Sequence, residues 1–229
     1  MQPNNDLDDE ADVYDGDPAY ELDDNHSRDE LVEALLHEDP ADVQALLDEE
    51  ADPNRRLSED GGTPLMVAAR LGEASLVEQL LARGADLHAK DDEHWTALHW
   101  AASEGRDQAV AVLLHAGALV DTPDAAGNTP LLLAAEADHA AAVRVLIEQG
   151  GADVNAINRD NLSAVTLAAM NGHTNVLEIL LAAGAHLDLN DEHSRVALTY
   201  AARRGHISWG TLHESERHAE NLHRTEQHE

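Results

Sequence analysis

The residues of this sequence that could do chemistry are first of all its histidines, because imidazole binds metal ions and transfers protons near neutral pH. Four of the 15 stand at intervals of five residues near the carboxyl end: His213, His218, His223 and His228. Five residues advance a helix by about 500°, so successive members of this series do not share a helix face. A zinc site on one helix prefers a spacing of four. The pattern therefore favours a solvated polar tail, and a metal-binding tail is the alternative.

Other catalytic and metal-binding signatures are missing from the sequence. It has no cysteine, which excludes disulfides, thiolate metal sites and cysteine nucleophiles. It also lacks the GxSxG, HExxH and GxxxxGK[ST] motifs. The acidic segment around Asp15 and Asp17 does not have the ligand spacing of a calcium loop. We predict a protein that is not an enzyme and has no cofactor and no dedicated metal site.

The charge balance limits the kinds of partner. The chain has 46 acidic and 14 basic residues and a net charge of −32. Residues 1–26 alone contain ten acidic residues and no lysine or arginine. Such a chain repels nucleic-acid phosphates and anionic membranes and attracts basic surfaces. We therefore expect no nucleic-acid partner and no membrane partner.

Two features of the sequence address location. No apolar run reaches the length of about 18 residues that indicates a membrane span. The first residues, MQPNNDLDDE, lack the basic and apolar regions of a signal peptide. We therefore expect a cytoplasmic protein.

A repeat organises most of the chain. Its clearest copy runs from Gly62 to Asp91, and the start of its first helix recurs after 33, 33, 34 and 33 residues. The recurring words are Thr63–Leu65, Thr96–Leu98, Thr129–Leu131, Ser163–Val165 and Val196–Leu198. An extra glycine at Gly150–Gly151 accounts for the longer interval. A fixed period near 33 predicts a solenoid.

Each copy reads as two short helices and a connector. Thr63 is suited to cap a helix that opens with Pro64, and the pair Ala68-Ala69 lets neighbouring helices approach closely. Gly72 marks a turn, and an apolar stripe with i, i+3, i+4 spacing begins at Val77 in a second helix. We predict that the second helices are stopped by Gly84, Gly117, Gly150 and Gly184.

These residues resemble the ankyrin repeat. The matching words are TPL at 63–65 and 129–131, AARLG at 68–72, TALH at 96–99, GGADVNA at 150–156 and GHTNVLEILLAAGA at 172–185. The resemblance covers about residues 27–206. It implies an all-α fold: an ankyrin-repeat α-solenoid of helix-turn-helix units joined by β-hairpin-like fingers.

The resemblance and the composition together divide the chain into five segments. Residues 1–26 are expected to be an acidic disordered leader, and 27–58 a degenerate N-terminal capping repeat. Residues 59–190 hold four full repeats. Residues 191–217 form a partial C-terminal capping repeat, and 218–229 a polar, histidine-rich tail.

For the histidines within the repeats, the resemblance implies a scaffold role. His99 follows the TAL word, where the family uses a histidine to hydrogen-bond around the hairpin turn. His139, His173 and His206 stand at the family's turn between the two helices. We expect these four side chains to be structural.

The resemblance also implies which residues contact a partner, namely the finger tips and the exposed side of the first helices. The predicted partner-binding residues are Leu71, Asp92, Glu93, Trp95, Ser103, Glu104, Asn128, Glu136, Leu162, Met170, Asn171 and Arg195. Trp95 is either an exposed hot spot or a ring that packs on the neighbouring finger. Trp100 and Tyr200 lie in the helix-core register and are expected to be structural.

The predicted function is non-catalytic protein–protein interaction. The partner would be a protein with a basic surface, held in the concave groove and by the finger tips of a monomer. An alternative is an inhibitor or immunity-type protein that neutralises a basic enzyme with help from the acidic leader. A third hypothesis is a metal-binding protein that uses the histidine tail.

Overall fold

A computed structural model of the chain describes residues 52–57 and 61–186. Eight helices follow one another in this part of the chain as four pairs. The pairs are α1 (Pro64–Leu71) with α2 (Ala74–Ala82), α3 (Ala97–Ser103) with α4 (Asp107–His115), α5 (Pro130–Glu136) with α6 (Ala140–Glu148), and α7 (Ala164–Asn171) with α8 (Thr174–Ala182). The predicted succession of helix-turn-helix units is confirmed here.

The first helix of each pair begins where the sequence predicts. Thr63 has an extended backbone, and its side chain accepts the N–H of Met66 at 3.4 Å. Ser163 caps α7 in the same way by accepting the N–H of Thr166 at 3.3 Å. Each cap satisfies one of the backbone N–H groups that a helix start leaves without a partner.

The pairs stack in one direction and share one core. First helices pack against first helices along the series α1, α3, α5 and α7, and second helices pack likewise along α2, α4, α6 and α8. The four alanine pairs of the first helices are completely buried between them: Ala68-Ala69, Ala101-Ala102, Ala134-Ala135 and Ala168-Ala169. This alignment confirms the all-α solenoid. Among the described residues the only β pairing is an isolated antiparallel bridge between Ile157 and Ser163.

One predicted helix stop is wrong by one residue. Gly84, Gly117 and Gly184 take a positive φ after their helices, but in the third unit Gly151 does so, at φ 66°, and not Gly150. A Cβ atom on Gly150 would lie 2.7 Å from the Leu146 carbonyl oxygen. Gly150 therefore lies close to that carbonyl just after the end of α6, and Gly151 makes the left-handed turn.

Several predictions concern residues outside the described ranges. They are the leader at 1–26, most of the segment 27–58, the segments 191–217 and 218–229, and the residues Arg195, Tyr200, His206, His213, His218, His223 and His228. The segment boundaries, the inhibitor hypothesis and the metal-binding tail stay predictions. Within the described ranges, no helix is both long and apolar enough to cross a membrane.

Two glycines of the second unit both have a positive φ, but only one of them is crowded by a neighbouring side chain, so their alanine variants separate backbone strain from steric crowding. Gly105, between α3 and α4, has φ 66°, and an added Cβ would lie 2.5 Å from Nδ1 of His139. Gly117, after α4, has φ 96° with nothing within 4 Å of an added Cβ. We expect Gly117→Ala to lower the free energy of unfolding by about 1 kcal/mol. Gly105→Ala should cost at least about 1 kcal/mol more, because the His139 ring must move.

Urea unfolding followed by circular dichroism measures both variants under the same conditions. Equal losses for Gly105→Ala and Gly117→Ala would show that the His139 ring does not constrain the turn.

Candidate functional site

Three connectors between the helix pairs form hydrogen-bonded turns, here called the first finger (91–95), the second finger (124–128) and the third finger (158–162). In the second finger, Oδ1 of Asp124 accepts the N–H of Ala126 at 2.8 Å and that of Asn128 at 2.7 Å. Oδ1 of Asp91 and Oδ1 of Asn158 make the corresponding bonds, at 2.8 to 3.1 Å. One side-chain oxygen therefore fixes the shape of each finger.

The fingers are also bonded to one another. Ala125 donates its N–H to the carbonyl of Glu93 at 3.0 Å, and Arg159 donates its N–H to the carbonyl of Ala126 at 3.1 Å. Between the second and third fingers, Nδ2 of Asn158 donates to Oδ1 of Asn128 at 2.9 Å. The finger backbones therefore lie side by side in a fixed register.

Trp95 is a packed residue of the first finger. Its ring is half-buried, 4.7 Å from the Trp100 ring between centroids, at 59°. Its Nε1 donates to Oδ2 of Asp124 on the next finger at 3.1 Å. The structure thus decides between the two expectations for this ring: it packs on the neighbouring finger, and the exposed placement is wrong.

The structural role expected of Trp100 is confirmed, because its ring packs on the core and beside Trp95, but its bond to the first finger was not predicted. It is half-buried, donates its Nε1 to Oδ2 of Asp91 at 2.9 Å, and has the guanidinium of Arg70 5.9 Å from its ring centroid. Its contacts join the first finger to α1 and α3. The surface made by the three fingers and the ends of the four first helices is here called the recognition groove.

The predicted partner-binding residues differ in how much solvent they meet. Asp92, Glu93, Glu104, Glu136, Met170 and Asn171 are exposed, while Leu71, Trp95, Ser103, Asn128 and Leu162 are half-buried. Met170 is 40% exposed, which is unusual for a large apolar side chain in this structure. The structure places eleven of the twelve on the fingers and the ends of the first helices, and Arg195 lies outside the described ranges. Whether they bind a partner stays a prediction.

Side chains at the turns between helices tie each unit to the one before it. Nε of Arg106 donates to the Arg70 carbonyl at 3.0 Å. Nε2 of His139 lies 2.9 Å from the Ser103 carbonyl oxygen, and Nε2 of His173 lies 2.9 Å from that of Glu136. The expected scaffold role of both histidines is confirmed. These three bonds, here called the turn ladder, hold the ends of α1, α3 and α5.

The pKa of His99 is strongly shifted by burial. Its side chain is completely buried, and its Nδ1 accepts the N–H of Thr96 at 3.1 Å. Burial disfavours the charged ring and lowers the pKa of His99 to about 4, although the Asp124 carboxylate opposes this shift in part. The ring is neutral at pH 7 and completes the cap of α3, so its expected scaffold role is confirmed.

The described histidine, aspartate and glutamate side chains are not gathered into a group that could hold a metal ion. Within residues 52–57 and 61–186, no group of three or more histidine, aspartate or glutamate residues is placed to hold a metal ion. In the buried carboxylates of Asp91 and Asp124, Oδ1 accepts finger backbone N–H groups and Oδ2 accepts the indole N–H of a tryptophan. What this surface offers is an ordered array of outward side chains.

Comparison with known proteins agrees with this architecture. The family model described as "Ankyrin repeats (3 copies)" matches four overlapping stretches, at residues 29–124, 72–158, 119–191 and 151–209. The chain is also 38% identical over 82 residues to the neurogenic locus notch homolog protein 1 of Mus musculus, and 37% identical over 82 residues to that of Homo sapiens. Each match covers 36% of this chain, and the chain spans about 3% of the length of these relatives.

The buried Asp124 and the exposed Asp92 should contribute very differently to the free energy of unfolding. Asp124→Ala removes both acceptors of a 6%-exposed side chain, leaving finger N–H groups without partners, and should lower the free energy of unfolding by about 2–4 kcal/mol. Asp124→Asn should cost less, because Asn158 holds the third finger with an amide oxygen. Asp92→Ala loses only an exposed 3.5 Å pair with Arg56 and should change stability by less than about 0.5 kcal/mol.

Urea unfolding of these three variants measures the difference. If Asp124→Ala and Asp92→Ala prove equally mild, the finger carboxylate does not hold the turn.

His99 should make folding stability depend on pH. Its pKa is about 4 in the folded chain and about 6.5 in the unfolded chain, so between these values the unfolded chain binds more protons. Stability is therefore fully present above pH 6.5 and falls as the pH is lowered toward 4. At pH 5 the loss attributable to His99 is roughly 2 kcal/mol relative to pH 7.5.

The repeat supplies the control for this experiment. Leu132 stands in α5 where His99 stands in α3 and is equally buried, so His99→Leu is compatible with the position. Urea unfolding at pH 7.5 and pH 5 should show a smaller difference for His99→Leu than for the wild type. The same difference in both proteins would rule out His99 as the titrating group.

Proposed function

The chain belongs to the ankyrin-repeat family, and we propose from that membership and from its recognition groove that it is a non-catalytic module that binds another protein. Ankyrin repeats are generally protein–protein interaction modules. The proposed binding surface is the recognition groove, with the finger tips at one edge and the ends of the first helices along its floor.

The observation that carries this proposal is a division between constant and variable positions. The buried alanine pairs repeat in all four described units. At the groove side of the first helices the residue changes from unit to unit, from Arg70 to Ser103, Glu136 and Met170. The scaffold does not require these outward residues, so their variety is available for recognition. The turn ladder and the finger bonds hold the backbone of these residues in place. Binding a partner therefore orders little of the chain and costs little conformational entropy.

The charge of the surface supports a basic partner. Asp92 and Glu93 on the first finger, and Glu104 and Glu136 on the first helices, are exposed acidic residues of the groove. In a chain with a net charge of −32 they attract a cationic surface and speed its encounter with the groove. The same net charge opposes self-association, so we propose that the module acts as a monomer.

The test is capture of the partner by the intact chain from cells of its source. The groove variant Glu136→Ala/Met170→Ala removes one exposed charge and one exposed apolar side chain from the proposed surface. The control variant Glu78→Ala/Glu178→Ala removes two exposed charges from α2 and α8. A protein retained by the wild type and by the control should bind the groove variant about tenfold or more weakly.

Retention should also fall as salt is raised, because screening weakens attraction between exposed charges. The purified partner then gives dissociation constants by titration calorimetry for the wild type and both variants. Equal affinity of wild type and groove variant, with loss in the control, would move the binding surface to the second helices and contradict the proposal.

A further inference from the structure

Four residues occupy the same place at the ends of the four first helices. They follow one another at intervals of 33, 33 and 34 residues and are here called the recognition row: Arg70, Ser103, Glu136 and Met170. Arg70 and Ser103 are half-buried, and the other two are exposed. Along one line of the groove the chain therefore presents a cation, a small hydroxyl, an anion and an apolar side chain.

The turn ladder fixes this row. Its three acceptors are the carbonyl oxygens of Arg70, Ser103 and Glu136 themselves, each bonded at 2.9 to 3.0 Å by a side chain of the following unit. The interval from one row residue to the next is therefore set by a hydrogen bond between adjacent units. A row held in this way keeps its chemical order in the unbound protein.

The two charges of the row have no ion-pair partner among the described residues. Among the described residues Arg70 has no carboxylate partner, and its guanidinium lies over the Trp100 ring, a contact of only modest strength at a partly exposed site. Glu136 is exposed, and no basic side chain in the described ranges pairs with it. Both charges can therefore be neutralised by a partner.

Resting on the proposed function, we infer that the partner presents an extended segment that crosses the recognition row in one register. An acidic residue meets Arg70, a basic residue meets Glu136, and an apolar residue contacts Met170. With the apolar residue held at Met170, exchanging the acid and the base places like charges opposite Arg70 and Glu136. Turning the exchanged segment end for end restores both charge pairs but loses the contact with Met170, so the exchanged order is weaker in either chain direction.

The spacing of the segment follows from the spacing of the helices. Packed helices lie about 8–10 Å apart, and an extended chain advances about 3.3 Å per residue. One unit of the solenoid therefore corresponds to about three residues of the bound segment. The acid and the base should stand about six residues apart, and the apolar residue about three beyond the base.

Two dye-labelled peptides test this register. The matched peptide carries Glu, Arg and Leu at positions 1, 7 and 10 in a Ser/Thr background, and the exchanged peptide has the Glu and the Arg interchanged. Fluorescence anisotropy gives their affinities for the full-length wild type, for the row variant Arg70→Glu/Glu136→Arg, and for the control Arg144→Glu/Glu148→Arg. The control exchanges an exposed ion pair on α6 and leaves the net charge unchanged.

We expect the wild type and the control to bind the matched peptide about tenfold more tightly than the exchanged peptide, and the row variant to reverse this preference. The single variant Glu136→Arg changes an exposed residue and should lose the preference for the matched peptide. It replaces the double variant in the test if the double variant does not fold. Equal binding of the two peptides, a preference that the row variant does not reverse, or no binding of either peptide would overturn the inference. The proposed function would then still stand or fall by the captured partner and the groove variant.

Discussion

The structure depends on the fact that none of its helix pairs can bury its own apolar face. The helices are seven to nine residues long, which is shorter than the length at which an isolated helix becomes stable in water. Their apolar residues are covered by the other helix of the pair and by the neighbouring pairs, and the buried alanines of the first helices keep those neighbours close. Stability is therefore shared between adjacent units, and a change at one junction acts mainly on the two units that meet there.

Polar bonds set the register that this non-directional burial leaves open. The turn ladder ties the ends of the first helices. A second series of side-chain bonds joins residues of successive units. The side chain of Asn54 accepts the N–H of Asp86, that of Asp121 accepts the N–H of Asp153, and that of Asn155 accepts the N–H of His186, at 2.6 to 3.1 Å. The junction of the second and third units and that of the third and fourth units have a turn-ladder bond, a bond of this second series and a bond between fingers, so each is held at three places. Such junctions can present outward side chains in a fixed order without a large core.

The helices and their caps can be predicted because they rest on local signals that recur every 33 or 34 residues. After α6 the predicted helix stop, Gly150, is one residue too early, because the sequence alone does not say which of the two glycines takes the left-handed conformation. The positions of Trp95 and Trp100 were harder, since each indole N–H bonds to a carboxylate supplied by a finger. Pairings of this kind depend on how neighbouring units meet, and that geometry is not written in the repeat period.

The same geometry divides the acidic residues into two groups that composition cannot separate. Asp91 and Asp124 are buried, and their oxygens accept hydrogen bonds from finger backbones and tryptophan side chains. Glu104 and Glu136 stand exposed at the ends of first helices. A buried, fully hydrogen-bonded carboxylate stabilises a turn, whereas an exposed one contributes mainly to attraction over distance and to the choice of partner. In the proposed function, the net charge selects the kind of surface that is attracted, and the exposed charges of the groove select where on the solenoid it binds.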